Sequence, residues 1–367
     1  MSLSVQFDTQ HLYYLPQYLP VAQALKKQGA KCEFIFYKEG QLDSIKDEAI
    51  AKSGFSALYL DSPLQSLSFY QQSTADWVIF GNKPAFSVSD KPTISAQLAL
   101  MQHGIGPKAC YYDVSEFPFD VRFVEGSERL SRLQQRFPDL NFVDTGYAKL
   151  DPLFKSDSTN TMSIEDLDLD QSKKTLLYAP TFFPSSIEYL SEHWPEQLSD
   201  YNIIVKPHFF SHTKQKYQAH RSLFSTWQKY SNVYVTSVDE YNLLPFMQIA
   251  DIMLSDASSA IFEFAALNKP VVWCDFYHTR WSYKGLLSFR LKRRLDPDIS
   301  LFHKLTTRAA SANKIKSALN MSQQSTKARQ AARKKMLNDM VGRTDGKCGE
   351  RIVDFLLSHS LSGGRLA

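Results

Sequence analysis

Apolar residues along this chain fall into short uninterrupted runs separated by polar stretches rich in turn residues. After a brief start at residues 5–7, such runs occupy 32–37, 57–60, 77–80 and 98–102. They recur at 175–178, 203–206, 233–236, 252–255 and 271–274. Runs of this length, bounded by Gly, Pro, Asn and Asp, predict strands buried on both faces. Between them residues 18–27 carry Leu19, Ala22 and Leu25 at helical spacing, and Gly29 stands where that helix stops. The alternation predicts an α/β fold of parallel sheets with helices on their faces. Residues 155–174, rich in Ser, Thr, Asp and Asn, read as a connection between two domains. Residues 306–357 read as helical and charged. The expected division is an N-terminal domain at 1–156, a C-terminal domain at 173–345, and a closing helix and tail at 346–367.

Composition narrows the class of protein. A length of 367 residues suits two domains, and a hydrophobic fraction of 43% argues against disorder. The 42 basic and 38 acidic residues leave a net charge of +4, which does not suggest a nucleic-acid binder. The sequence has no apolar stretch long enough to span a bilayer, and residues 1–10 lack the pattern of a signal peptide. The expectation is a cytoplasmic protein. Cys32, Cys110, Cys274 and Cys348 are far apart, without metal-ligand spacing, and are expected to be small buried apolar residues. No cofactor and no metal site are expected.

In parallel sheets, ligands bind outside the carboxyl ends of strands, so the loops after the apolar runs are where chemistry is sought. Four stand out. Asp256-Ala257-Ser258-Ser259 lies between a strand and a helix, where free N–H groups and two hydroxyls suit an anion; the alternative is that one serine there is only the helix cap. Lys206-Pro207-His208 ends a β-branched strand, so His208 is a candidate to stabilise charge on a phosphoryl group, or else a surface turn histidine. Gln102-His103-Gly104 follows a strand of the first domain, with His103 a candidate general base or a solvated residue in a glycine turn. Ala179-Pro180-Thr181 is either part of a phosphate or nucleotide pocket or a plain turn.

These segments, in this order, resemble the CDP-glycerol glycerophosphotransferase family, whose members build teichoic acids and related polymers. Thr145-Gly146-Tyr147 through Asp151, Phe262-Glu263-Phe264, Asn268-Lys269-Pro270, and Asp345-Gly346-Lys347 with Arg351 extend the likeness over roughly residues 95–355. The chain departs from the family pattern at Ala257, Ala148, Ile105 and Gly106. The resemblance implies a GT-B fold, two Rossmann-like domains with parallel sheets facing a central cleft. It also implies transfer of an alditol phosphate from CDP-glycerol or CDP-ribitol to a polysaccharide or lipid-linked acceptor, with release of CMP. His103 and His208 would be catalytic. Pro180, Thr181, Lys206, Asp256, Ser258, Ser259 and Glu263 would bind the donor, and Gly104, Arg280 and Lys284 the acceptor.

Arg280, Lys284, Arg290, Lys292, Arg293 and Arg294 are interleaved with Trp281, Tyr283 and Phe289, a pattern suited to an anionic acceptor, to an anionic membrane surface on the inner face of the plasma membrane, or to a solvated loop. No nucleic-acid module accompanies it. The competing readings are a GT-B glycosyltransferase using a nucleotide sugar, a nucleotide-sugar epimerase of similar fold, and a catalytically silent assembly subunit.

Overall fold

The computed structural model describes residues 2–106, 110–155, 162–277, 302–324 and 327–360. The chain forms two compact units, the first discontinuous: residues 1–105, 110–158 and 338–367, with 106–109 and 159–337 in the second. The sequence reading carried the second domain to 345 and left 346–367 as a separate tail, whereas the contacts join 338–367 to the first unit.

The first unit holds a parallel sheet in the order β3-β2-β1-β4-β5-β6-β7. Its strands are β1 (Ser4–Thr9), β2 (Lys31–Tyr37), β3 (Ser56–Leu60), β4 (Trp77–Phe80), β5 (Gln97–Met101), β6 (Val121–Val124) and β7 (Phe142–Asp144). The second unit repeats the plan with the order β10-β9-β8-β11-β12-β13. These strands are β8 (Lys174–Tyr178), β9 (Tyr201–Val205), β10 (Val233–Val235), β11 (Ile252–Ser255), β12 (Val271–Cys274) and β13 (Thr307–Ala309). Every run named in the sequence became a strand. Strand β13 is a difference: it lies in the stretch expected to be helical, and it forms because Thr307 to Ala309 extend the ladder beside β12.

The centres of both sheets are almost wholly apolar because both faces are covered. Phe7 stacks on Phe34 at 5.0 Å in the first unit. In the second, Trp194 lies 5.1 Å from Tyr178 and 5.2 Å from Trp227. In each sheet the strand order reverses once, between β1 and β4 and between β8 and β11. Loops leaving the carboxyl ends beside such a reversal diverge and leave room for a ligand.

The returning chain is bound tightly to the first unit. The helix Cys348–Ser360 lies against the helix Leu15–Lys27, and the Trp77 indole N–H donates to Ser360 Oγ at 2.7 Å. The Asp151 carboxylate accepts the backbone N–H groups of Cys348 and Gly349, at 3.0 and 2.7 Å, and so caps that helix from across the unit. Arg351 holds Asp345 with both terminal nitrogens and donates through Nε to the Thr145 carbonyl at 2.9 Å. Gly126, at φ +74°, lies where a Cβ would sit 2.3 Å from the Asp339 carbonyl oxygen. The Thr145-to-Asp151 and Asp345-to-Arg351 segments are thus each other's partners, and their role here is to close the fold. Asp151→Ala would strand two N–H groups at a buried helix start. A loss of roughly 1–3 kcal/mol is expected, seen as a lower denaturation midpoint at unchanged slope, with Asp151→Asn losing less. Equal losses for Ala and Asn would sink the capping account.

Candidate functional site

The second unit brings three of the predicted segments together at its strand-order reversal. Ala179 to Thr181 leave β8, Asp256 to Ser259 leave β11, and Lys206 to His208 leave β9. Asp256 is fully buried. One oxygen accepts the Thr181 N–H at 2.7 Å. The other accepts the Ser186 N–H at 2.9 Å and the hydroxyls of Ser186 and Ser185 at 3.0 and 3.1 Å. Burial pushes its carboxyl up to about 6, against the pull of those donated bonds. Asp256 therefore fastens the β11 loop to the β8 loop, and any influence on a ligand runs through the loop it holds. Ser185 and Ser186 were not singled out in the sequence.

Of the paired serines, Ser258 accepts the Ala260 N–H through its hydroxyl at 3.3 Å, at the start of the helix Ala260–Ala266. The capping alternative thus applies to Ser258, while Ser259 makes no side-chain cap. Both are half-buried, and Glu263 is buried in the first turn.

Lys206 is buried at the end of β9, its N–H donating to the Tyr178 carbonyl at 2.8 Å. Two residues on, the Phe210 N–H donates to Nδ1 of His208 at 3.1 Å. A ring nitrogen that accepts a hydrogen bond carries a lone pair, so the neutral His208 ring bears its proton on Nε2. The ring is half-buried, with Phe182 and Phe210 at 4.7 and 5.2 Å. Nearby His212, which the sequence did not flag, is pushed down to about 4 by burial and by the charges of Lys206 and Arg221. It is neutral near pH 7.

In the first unit His103 follows β5 and has the opposite arrangement. Its Nδ1 lies 2.8 Å from the Gly81 carbonyl oxygen. A carbonyl only accepts, so Nδ1 holds the proton and the neutral ring keeps its lone pair on Nε2. The ring plane is set by Tyr14, stacked at 4.6 Å and 15°. The Tyr147 hydroxyl donates to the His103 carbonyl at 3.1 Å. Gly81 permits this closeness, since a Cβ there would lie 2.8 Å from the Tyr18 hydroxyl and 2.9 Å from the Tyr14 ring. Gly104, next in the chain, is buried. Tyr14 and Gly81 carried no sequence signal beyond the aromatic density of residues 11–14.

Arg280, Lys284 and the basic cluster around them lie outside the described residues. Among the described residues, no group of three His, Cys, Asp or Glu side chains is placed to hold a metal ion, and no helix is long and apolar enough to cross a membrane.

Residues 135–358 match the model of the CDP-glycerol:poly(glycerophosphate) glycerophosphotransferase family. The teichoic acid glycerol-phosphate primase of Bacillus subtilis (strain 168) is 28% identical over 159 residues. That stretch is 41% of this chain and only 38% of the primase. Among solved structures, the wall teichoic acid polymerase TagF shares the fold with a TM-score of 0.64 at 16% identity, over 98% of this chain and 89% of that one. A putative UDP-N-acetylglucosamine 2-epimerase from Listeria monocytogenes shares it equally, with a TM-score of 0.65 at 14% identity, over 100% and 98%. The fold is therefore of the expected GT-B class, and the fold alone does not choose between transferase and epimerase.

Proposed function

The chain belongs to the CDP-glycerol:poly(glycerophosphate) glycerophosphotransferase family, and on that premise we propose that it transfers glycerol phosphate, or another alditol phosphate, from a CDP-linked donor to a hydroxyl of a saccharide or lipid-linked acceptor. The observation that carries the reading is the pair of opposite histidine tautomers. His103 offers a lone pair at Nε2, as a base needs. His208 offers an N–H at Nε2, as a phosphoryl oxygen needs.

In the proposed reaction the His103 lone pair takes the acceptor's hydroxyl proton. The freed oxygen bonds to the phosphorus that bears the alditol. The bond from that phosphorus to the CMP oxygen breaks, and CMP leaves. The His208 N–H and the Lys206 ammonium offset the charge gathering on the phosphoryl oxygens. The loop from Pro180 to Ser186, held by Asp256, and the half-buried hydroxyls of Ser258 and Ser259 are the groups assigned to the donor's phosphates.

Calorimetric titration with CDP-glycerol, CDP-ribitol and a UDP-sugar tests the donor class. The cytidine alditols are expected to bind, and Ser258→Ala combined with Ser259→Ala is expected to weaken them about tenfold. Preference for the UDP-sugar would move the protein to the glycosyltransferase or epimerase reading.

A further inference from the structure

We infer that Glu39, His11 and Tyr13, in line with His103, form a binding site for a neutral sugar ring. Only the word acceptor for that sugar rests on the phosphotransfer reading. Glu39 follows β2, His11 and Tyr13 follow β1, and His103 follows β5, so all leave the same carboxyl edge of the first sheet. The Glu39 carboxylate is 4.0 Å from His11 Nδ1. The His11 ring stacks on Tyr13 at 5.2 Å and 14°. Tyr13 in turn meets His103 edge-on at 5.7 Å and 70°. A continuous strip thus runs from a carboxylate, over two stacked rings, to the proposed base.

The strip is not plain core. The side chains of His11 and Glu39 keep 27% and 24% of their exposure, and Tyr13 is half-buried, whereas the supporting rings Tyr14 and Tyr18 are buried. A sugar ring pairs an apolar C–H face with a rim of hydroxyl donors. Aromatic faces suit the first and a carboxylate accepts from the second.

Charge selects a neutral ring over a phosphorylated one. Glu39 and Asp43 set two carboxylates against one ammonium, Lys46. That ammonium is fully buried and spent on them, at 2.9 and 3.4 Å, and on the Tyr37 carbonyl. The next lysine, Lys38, is paired with Asp61 at 2.7 Å. A phosphate entering the strip would meet net negative charge.

Saturation-transfer NMR without any donor tests the site, using methyl glucoside, methyl galactoside, methyl mannoside and glycerol 3-phosphate as probes. At least one hexoside is expected to bind, and to lose about tenfold in affinity in both Tyr13→Leu and Glu39→Gln, with thermal unfolding confirming that each variant folds. Glycerol 3-phosphate is expected not to displace it. The inference is overturned if no hexoside binds, if either variant keeps full affinity, or if glycerol 3-phosphate binds the strip more tightly than the sugars. Hexoside binding without turnover of CDP-glycerol would keep the sugar site and remove only its assignment as the acceptor.

Discussion

Replacing His103 with glutamine is expected to lower turnover of CDP-glycerol by about 10²- to 10⁴-fold, while the same change at His208 costs much less. The asymmetry follows from the tautomers. Glutamine carries an amide NH2 that can donate a hydrogen bond but has no nitrogen able to take a proton. At position 208, where the Phe210 N–H occupies Nδ1, the ring is left to donate, and an amide reproduces part of that. At position 103, where the Gly81 carbonyl occupies Nδ1, the ring is left to accept a proton, and nothing in glutamine replaces it. Alanine at either position should remove the function, so the glutamine pair separates a base from a donor. CDP-glycerol affinity should be nearly unchanged in His103→Gln, because the proposed donor groups all lie in the second unit. Single-turnover assays alongside donor titration read both quantities. If His208→Gln is the dead variant and His103→Gln the active one, the roles are reversed. If both retain turnover, His103 is not the base.

The two histidines could be singled out as candidates because each stands at the end of an apolar run, where a parallel sheet presents its ligand-facing residues. The division of labour proposed for them was not legible. It rests on the Gly81 carbonyl, which the chain brings back to His103 from β4, and on a backbone N–H that any residue but proline at 210 would supply. The same limit applied to Asp256. As part of an Asp-x-Ser-Ser segment it reads as a donor ligand, yet its partners Thr181, Ser185 and Ser186 come from the far side of the strand-order reversal. Strand β6 escaped the pattern for a different reason. It carries Arg122, a buried cation that donates to the carbonyls of Ser115, Phe117 and Phe119. A charge inside an apolar run masks a strand unless the loop that satisfies it is known.

Asp256→Asn is expected to change how stability depends on pH, and the sign tests the burial directly. The Asp256 carboxyl is raised from 3.8 to about 6 by burial. A group raised on folding favours the folded state fully below its unfolded value, and that contribution is lost as pH climbs through the folded value. As pH falls from about 7 to about 4, wild type should therefore gain roughly 2–2.5 kcal/mol relative to Asp256→Asn. Asp8 behaves alike, its carboxyl also raised to about 6 by burial against the hydroxyls of Tyr37 and Tyr70. His212 works the other way. Lowered from 6.5 to about 4, it withholds a proton that the unfolded chain takes up, and stability drains away as pH falls below its unfolded value. The wild-type profile alone sums these opposed slopes, which is why the comparison must be between wild type and variant. Guanidinium denaturation of both proteins across that range provides the numbers. A gap independent of pH would mean that folding does not perturb the carboxyl. A gap that moves against wild type on acidification would mean that the four donated hydrogen bonds outweigh burial and hold Asp256 below its ordinary value.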